Sequence, residues 1–582
     1  LKLDVITAVF GEGSFGKSSL IEALKVCLAP ESNGKIPQFR MQDFHMPPGQ
    51  DEPQALKLSI ALTFREGTPY EWSADVYKEL EPAISKWRDG RREISVRMEA
   101  EIKDDGHGRR QANGVDGKTI ESRCIFLKPD RSQIYNIDVE KILARLRMLC
   151  PVIALSWHGN GSANAISERS SIEQNATERP SQEQRSSDPD TAGGAGVKLS
   201  DGDRYILSLY KKAISQPDRL TREELAAALE ALAGLEGRYP VSESGRIAKY
   251  QVLIKEIREA STRFPQGKDK KTRLSRFGDV HQVVALLAIV GTILEARGTI
   301  ELPESTEPIV AFENLETNLH PIALACIWDL LAQIPVQKLM ISNSDDLLAS
   351  VPLRSLRRIV RHKAGLDVHA IGSDSLSQDD MRRLGYHIRL NRADAIMNRC
   401  WLLIEGESEG WLLPEMAHVM GYDFKSEGVR CIEFAQCGVE PMIKMAQDLG
   451  IEWHLLSDGD PAGHSYVAVA RRFLKGADFS TRISCMKELD IEHHLAKHGF
   501  INVYAEAAGP QVRRNDSLHT VVRSAVKRNS KPALILKVIE YAQETGMSTV
   551  SPLLSNVVET CIRLARKVEP DFAILSPKDY NG

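Results

Sequence analysis

Three acidic clusters late in the chain carry most of its chemical potential. Glu405 and Glu409 stand four apart in Cys400-Trp-Leu-Leu-Ile-Glu405-Gly-Glu-Ser-Glu409. About 50 residues on come Asp458 and Asp460, in Trp453-His-Leu-Leu-Ser-Asp458-Gly-Asp460-Pro-Ala-Gly463, and about 30 further comes Glu492, in Leu489-Asp490-Ile-Glu492-His493. Hard divalent cations take oxygen ligands, and Mg²⁺ prefers a few carboxylates together with water and phosphate oxygens. Two such ions about 4 Å apart can activate water and stabilise a leaving oxygen in phosphodiester cleavage. Each cluster alone would also suit a solvated helix N-terminus, where carboxylates are favoured; their order and spacing together favour metal binding. Glu405, Glu409, Asp458, Asp460 and Glu492 are therefore the candidate metal ligands and catalytic residues. Lys531, in Ser530-Lys531-Pro532, could stabilise charge on a scissile phosphate. With Arg523, Lys527 and Arg528 it gives a basic face, which an ordinary solvated helix would also show.

A second chemistry opens the chain. Gly11-Glu-Gly-Ser-Phe-Gly16-Lys17-Ser18 matches G-x-x-x-x-G-K-[ST] and lies between an apolar run at 5–10 and a helix start at 20–24. Backbone N–H groups around Gly11, Gly13 and Gly16 would surround phosphates, Lys17 would reach the β- and γ-phosphates, and Ser18, followed by Ser19, would hold Mg²⁺. Far downstream the buried strand Ile309-Val-Ala-Phe312 ends in Glu313, placed to bind Mg²⁺ through water. The next residue, Asn314, occupies the position of a general base but cannot take a proton; Glu316 is a possible substitute. Leu319-His320-Pro321 completes this pattern. Leu274-Ser275-Arg276-Phe277-Gly278-Asp279 reads either as a degenerate signature loop, with Ser275 capping a γ-phosphate, or as a simple helix N-terminus. Asn343 stands at a switch position, and Gln42 or Asp43 is a weaker candidate for Mg²⁺ sensing.

The elements that must position these residues follow from periodicity. Residues 1–150 alternate strand and helix patterns, and Leu56, Leu58, Ile60, Leu62 and Phe64 share one face of a half-buried strand. The chain begins with Leu1 and enters a strand at once, so a first strand is expected to precede it. Residues 158–201 are polar with almost no large apolar side chains, the composition of a disordered insert. Residues 203–262 read as helices, either a partner surface or an ordinary packed subdomain. Alternation resumes over 274–343 and again over 400–500, and the remainder reads as mainly helical. The basic run Arg354, Arg357, Arg358, Arg361 and Lys363 reads as an exposed face. A length of 582 residues suggests about two to four domains, and a net charge of -4 confines nucleic-acid binding to local patches or metal ions. Nine cysteines with no C-x-x-C pair argue against structural zinc and for reduced thiols in the cytoplasm. The opening residues do not read as a secretory signal, and the longest apolar run, 283–294, is too short for a membrane span.

The motifs GEGSFGKSSLIEAL, FENLETNLHP, CWLLIEGESE, WHLLSDGDPAG and LDIEH, in this order, resemble those of the OLD (overcoming lysogenisation defect) family of ATP-dependent nucleases. The resemblance covers essentially the whole chain except the polar insert. It implies an α/β fold: an ABC-type P-loop ATPase with a helical insertion, then a Toprim α/β domain and a helical C-terminal region. The expected division is 1–157 for the first part of the ATPase, 158–201 for the insert, 202–264 for a dimerisation-type helical insertion, 265–385 for the second part of the ATPase, 386–510 for Toprim and 511–582 for the helical region. The resemblance further implies a homodimeric, DNA-cleaving endonuclease that uses ATP and Mg²⁺ or Mn²⁺, with roles in phage defence or DNA repair. It matches Glu405 with Glu409, Asp458 with Asp460, and Glu492 to the family's metal ligands, and Lys531 to its catalytic lysine. Asn314, Asn343 and Gly13 depart from the family pattern and bear on ATP turnover more than on ATP binding. The rival readings are a non-cutting ABC-type ATPase that clamps DNA, which has no need of five converging carboxylates, and a topoisomerase or primase, whose nucleophilic tyrosine domain or zinc module is not recognisable.

The chain is expected to bind ATP and hydrolyse it slowly. A positioned general base contributes about 10²–10⁴-fold to rate, so Asn314→Glu should accelerate turnover toward that range, while Lys17→Ala should abolish nucleotide binding. Steady-state ATPase assays in which wild type already matches Asn314→Glu would refute the argument from the missing base.

Overall fold

The computed structural model describes residues 1–13, 16–29, 32–45, 53, 55–87, 89–104, 118–156, 204, 208, 306–316, 324, 328, 336–362, 365–391, 393–510 and 516–567. The polar stretch 158–201, the signature-like loop with Ser275, the apolar run 283–294 and His320-Pro321 lie outside these residues. Of the segment 203–262 only Arg204 and Ser208 are described, both helical.

Along the chain, β1 (Ile6–Gly11) leads through the glycine-rich loop into α1 (Lys17–Leu28). Then come β2 (Lys57–Arg65), β3 (Ser85–Lys86), β4 (Arg92–Asp104), β5 (Lys118–Leu127), α2 (Val139–Leu149), β6 (Val152–Ser156), β7 (Ile309–Glu313) and β8 (Gln337–Ile341). The strands β9 (Leu356–His362) and β10 (Gly365–His369) and the helix α3 (Gln378–Asn391) precede the late acidic block. These elements belong to two compact units. One comprises Leu1–Lys2, Thr7–Lys17 and Ser342–Gly582; the other comprises Leu3–Ile6 and Ser18–Ile341.

In the unit that contains Ser18–Ile341, β4 is the spine of an antiparallel sheet, with β2 along one edge and β3 and β5 along the other. The period of two in β2 is realised: Leu58, Ile60, Leu62 and Phe64 are half-buried between exposed neighbours, while Leu56 precedes the strand and is exposed. The strands β6, β7 and β8 are parallel. Asp138 caps α2 by accepting from the Lys141 N–H. Arg147 of α2 is fully buried, its guanidinium donating to the carbonyls of Cys27, Asn33 and Lys35.

In the other unit, β1 pairs with β9 in parallel and β10 returns antiparallel to β9. The basic run divides: Arg354 is exposed and Arg361 half-buried, Lys363 lies outside the described residues, and two of the arginines turn inward. Arg357 and Arg358 sit in β9 and are buried. Arg358 donates to the carbonyls of Leu449, Gly450 and Asn398, and Arg357 to those of Lys2, Arg354 and Leu356. A guanidinium has five donors in a fixed fork, so it can satisfy several otherwise orphaned backbone carbonyls at once; both arginines serve as interior brackets.

The late block then alternates β11 (Cys400–Ile404), α4 (Glu407–Val419), β12 (Val429–Glu433), α5 (Val439–Asp448), β13 (Glu452–Ser457), α6 (Pro461–Arg471) and β14 (Ile483–Cys485). All pairings are parallel, in the order β12-β11-β13-β14. Every residue of β11 is buried, as the near-continuous apolar run of a strand covered on both faces requires. The chain closes with α7 (Ile491–Leu495), a π-helical turn at Ala496–Phe500, α8 (Ile501–Ala508), α9 (Leu518–Arg528), α10 (Lys531–Thr545) and α11 (Pro552–Ala565). Ser517, Ser530 and Ser551 cap the last three helices. The helix α10 packs on α4, and α11 packs on β11 and β13. One apolar core thus joins Leu402, Leu412, Leu534, Val538, Val557 and Cys561, so the terminal helices complete the sheet's covering. Among the described residues, no helix is long and apolar enough to cross a membrane.

Leu412 is fully buried in this core and Leu536 on α10 is half exposed. Leu412→Ala should cost about 2–5 kcal/mol and Leu536→Ala within about 0.5 kcal/mol, measured by urea unfolding. Equal losses at the two positions would contradict this packing.

Candidate metal-dependent active site

Because the four strands β11 to β14 run parallel, their carboxyl ends share one edge. The chain goes from β11 to β12 on one side and then to β13 on the other, which puts a topological switch point between β11 and β13, where open parallel sheets form a crevice. Glu405 leaves β11 directly, Asp458 leaves β13 directly, and Glu488, Asp490 and Glu492 follow β14. Strand order therefore gathers acids that are distant in sequence.

The turn after β13 is fixed by close approach. A methyl group on Gly459 would lie 2.3 Å from the Glu488 carbonyl oxygen, and one on Gly463 would lie 2.1 Å from that of Asp458. With only hydrogen there, Gly459 donates its N–H to the Glu488 carbonyl at 3.0 Å. Asp460 caps α6, accepting from the Gly463 N–H at 2.6 Å, and Pro461 begins the helix. Asp490 caps α7 in the same way through the His493 N–H at 2.9 Å, which orients Glu492.

Glu405, Glu409, Asp458, Glu492 and Lys531 line one cavity of about 290 Å³, with Trp411 on its wall. Glu409 and Glu492 are buried. Lys531, the first residue of α10, places its Nζ 3.0 Å from Glu492 Oε1. Asp460 does not line the cavity, though its charge reaches Glu405. Arg523, Lys527 and Arg528 are exposed on α9, and Lys531, also largely exposed, differs in reaching Glu492.

The electrostatics are those of acids held together against their repulsion. Burial, then the Glu409 and Glu405 charges, raises the Asp458 carboxyl to about 8. Burial raises Glu409 to about 7, with Glu492 adding to the effect, and burial followed by Asp460 raises Glu405. Burial alone would lower the Lys531 ammonium, but the Glu492 carboxylate outweighs it and the net shift is upward. Glu405 Oε2, Asp458 Oδ1 and Glu492 Oε2 are buried with no hydrogen-bond donor among the described residues. Orphaned buried carboxylate oxygens are costly. Oxygen-rich, donor-poor and acidic, the set fits Mg²⁺ or Mn²⁺. Tyr504, which the sequence gives no reason to single out, is buried nearby with an unpartnered hydroxyl, and after burial the Glu492 and Asp490 charges push its ionisation further up.

The glycine-rich loop has its own geometry. Gly16 takes a left-handed φ of 72°, and Lys17 is buried with Nζ donating to the Gly11 and Glu12 carbonyls, each at 2.7 Å. The first turn of α1 carries no acidic residue that would repel phosphate, and Ser18 and Ser19 are exposed at its start. Glu12 makes a two-pronged pair with Arg399, Nε to Oε1 at 2.5 Å and Nη2 to Oε2 at 2.7 Å. Arg399 immediately precedes β11. Elsewhere, Glu313 ends β7 half-buried, and Asn314 takes a left-handed φ of 54° with its N–H on the Ile341 carbonyl. Asn adopts that conformation readily and Glu does not, at a cost of about 1–2 kcal/mol, which gives a backbone reason for the amide. Asn343 is exposed, Gln42 is exposed, and Asp43 accepts the Arg40 N–H in a short helical turn.

A family model described as "Protein of unknown function (DUF2813)" matches residues 1–395, and one described as "Overcoming lysogenization defect protein-like, TOPRIM domain" matches residues 396–460. The chain belongs to the OLD-like family. Its relative "Uncharacterized protein YbjD" of Escherichia coli (strain K12) is 31% identical over 568 residues, covering 97% of this chain and 96% of that protein. Among solved structures, the chain is similar to the C-terminal region of the Burkholderia pseudomallei OLD protein (16% identity, 29% of this chain, 98% of that chain, TM-score 0.24). It is also similar to an SmcHead bound to the C-winged helix domain of ScpA (11% identity, 64% of this chain, 92% of that chain, TM-score 0.29). The fold is the mixed α/β one expected, with the Toprim match over the start of the parallel late block and a helical C-terminal region after it. The Toprim match ends at Asp460, and Glu492 and Lys531 beyond it line the same cavity.

In metal-free protein the protonated forms of Asp458 and Glu409 are the ones folding favours. A carboxyl whose folded pKa is raised contributes stability at low pH and loses it as pH climbs through that pKa. The melting temperature of chelator-treated protein should therefore fall as pH rises from the ordinary carboxyl values of 4.5 and 3.8 to about 7 and about 8 and level off above, and Mg²⁺ or Mn²⁺ should restore it most at the alkaline end. Asp458→Asn should flatten the profile; a chelated wild type with no slope would contradict the repulsion described above.

Proposed function

We propose that this chain is a divalent-metal-dependent DNA endonuclease whose ATPase-like region regulates cutting. The observation that carries this is the cavity at the switch point, where Glu405, Glu409, Asp458 and Glu492 face one another with a single lysine between them. Such a set favours cations over any neutral ligand and, with phosphate oxygens completing their coordination, draws in a polyanion despite the net charge of -4. When bound, the ions supply an activated water and screen the phosphodiester. The protein's own part is to orient. Gly459 and Gly463 fix the Asp458 turn, Asp490 fixes Glu492, and Ser530 with Pro532 starts α10 so that Lys531 projects into the cavity. Its ammonium, held charged by Glu492, stabilises negative charge on the scissile phosphate. Asp460, occupied with its helix cap, acts as a more distant ligand or a support of Asp458.

ATP binding is assigned to Gly11, Gly13, Gly16, Lys17, Ser18 and Ser19, with Mg²⁺ held by Ser18 and Glu313. Family membership supports a place in phage defence or DNA repair and a homodimer with composite nucleotide sites.

The test is cleavage of supercoiled plasmid with Mg²⁺, Mn²⁺ or Ca²⁺, with and without ATP. Wild type should yield nicked and linear DNA, Asp458→Ala should be nearly inactive, and Lys531→Ala should lose about 10²–10³-fold in rate while keeping its metal affinity by calorimetry. Relaxed closed circles would point instead to a topoisomerase, and binding without strand breaks in any metal would point to a clamp.

A further inference from the structure

Apart from the carboxylate cavity lies a second group of metal-ligand types, of different chemistry. Glu488 follows β14, His494 is on α7, and His498 lies in the π-helical turn after it. One ligand atom from each falls within 4.8 Å of the others. His494 Nδ1 is 2.8 Å from Glu488 Oε2, and His498 Nε2 is 3.9 Å from Glu488 Oε1. The two imidazole rings lie 4.4 Å apart between centroids. The spacing makes this possible: four residues apart, His494 and His498 are neighbours on one helix face, and the π-helical turn that carries His498 closes at Gly499, at a φ of 115°. Glu488 and His494 are nearly inaccessible, at 9% and 2% side-chain exposure, while His498 is at 35% and open to solvent on one side. No residue of this group takes part in the carboxylate cavity.

We infer that Glu488, His494 and His498 form a binding site for a borderline transition-metal cation of the Zn²⁺ class. Two imidazoles and one carboxylate are the donor set that suits Zn²⁺ and its neighbours, whereas the all-oxygen cavity suits Mg²⁺ and Mn²⁺. Three protein ligands with one solvent-facing side leave a coordination position open. The partners of these side chains fit the role. His494 Nε2 sits 2.8 Å from Ser551 Oγ, a hydroxyl that can accept an Nε2–H as well as donate; without an ion Nδ1–H donates to Glu488 Oε2, and with one the Ser551 hydroxyl can accept from Nε2 and leave Nδ1 to the metal. The positive charge that a cation would bring is now supplied by Lys497, whose Nζ lies 2.6 Å from Glu488 Oε1, so the lysine acts as an internal competitor. The Glu488 carbonyl receives the Gly459 N–H. An ion here would thus brace the same turn that carries Asp458. The inference is independent of the nuclease reading.

The experiment titrates Zn²⁺ alone into chelator-treated full-length protein presaturated with Mg²⁺, by calorimetry, and follows Co²⁺ substitution by visible absorption. Wild type should take up one Zn²⁺ beyond the Mg²⁺-filled sites. Loss of even an outer hydrogen-bond partner weakens metal sites by about 10–100-fold. His498→Ala, at a solvent-facing position, should therefore weaken this ion by about 100-fold or more while leaving the circular dichroism and the Mg²⁺ response unchanged. Lys497→Ala should act in the opposite direction and tighten Zn²⁺ binding, a result that misfolding cannot mimic. The site is overturned if His498→Ala binds Zn²⁺ as wild type does, if excess Mg²⁺ displaces all Zn²⁺, or if Lys497→Ala leaves the affinity unchanged.

Discussion

Mutual repulsion among Glu405, Glu409, Asp458 and Glu492 is the constraint around which this part of the chain is organised. Packing acids into a cavity with buried, donorless oxygens is unfavourable, and the surroundings are built to withstand it. The parallel sheet delivers the acids from strand ends that cannot retreat, because β11 and β13 are buried along their length. The C-terminal helices add the covering core and, through Lys531, the one cation on the cavity wall among the described residues. Without α10 and α11 the sheet would lose both its apolar cover and its counter-charge.

Much of this was legible in the sequence, for definite physical reasons. Apolar runs that end abruptly in Glu405-Gly and Asp458-Gly have few readings other than buried strands opening into tight turns, and the strands lie where those runs predict. The alternation in β2 survives as alternating burial. The glycine loop lies between a strand and a helix as its motif requires.

What was not legible depends on partners distant in the chain. Nothing in Arg354 to Arg361 announces that Arg357 and Arg358 are interior brackets, since their carbonyl partners include residues as far apart as Lys2 and Gly450. That Lys531 opens a separate helix and pairs with Glu492, while Arg523, Lys527 and Arg528 stay on α9, could not be read from their spacing. The left-handed backbone at Asn314 is likewise invisible in composition, yet it bears on why an amide stands there. Tyr504 and the Glu488, His494 and His498 group surface only once α7, the π-helical turn and α8 are in place.

The pairing of Glu12 with Arg399 has a thermodynamic consequence. Glu12 belongs to the loop whose carbonyls hold Lys17, and Arg399 is the residue before the strand that ends at Glu405. If a triphosphate draws Lys17 away from those carbonyls and thereby strengthens or weakens the Glu12 pair, the work done at one end of β11 is shared with the other. Under the proposed nucleotide and cation sites, linkage runs both ways: whatever factor a nucleotide applied to cation affinity at Glu405, cations would apply to nucleotide affinity at the loop. A single ion pair would make each ligand a reporter on the other.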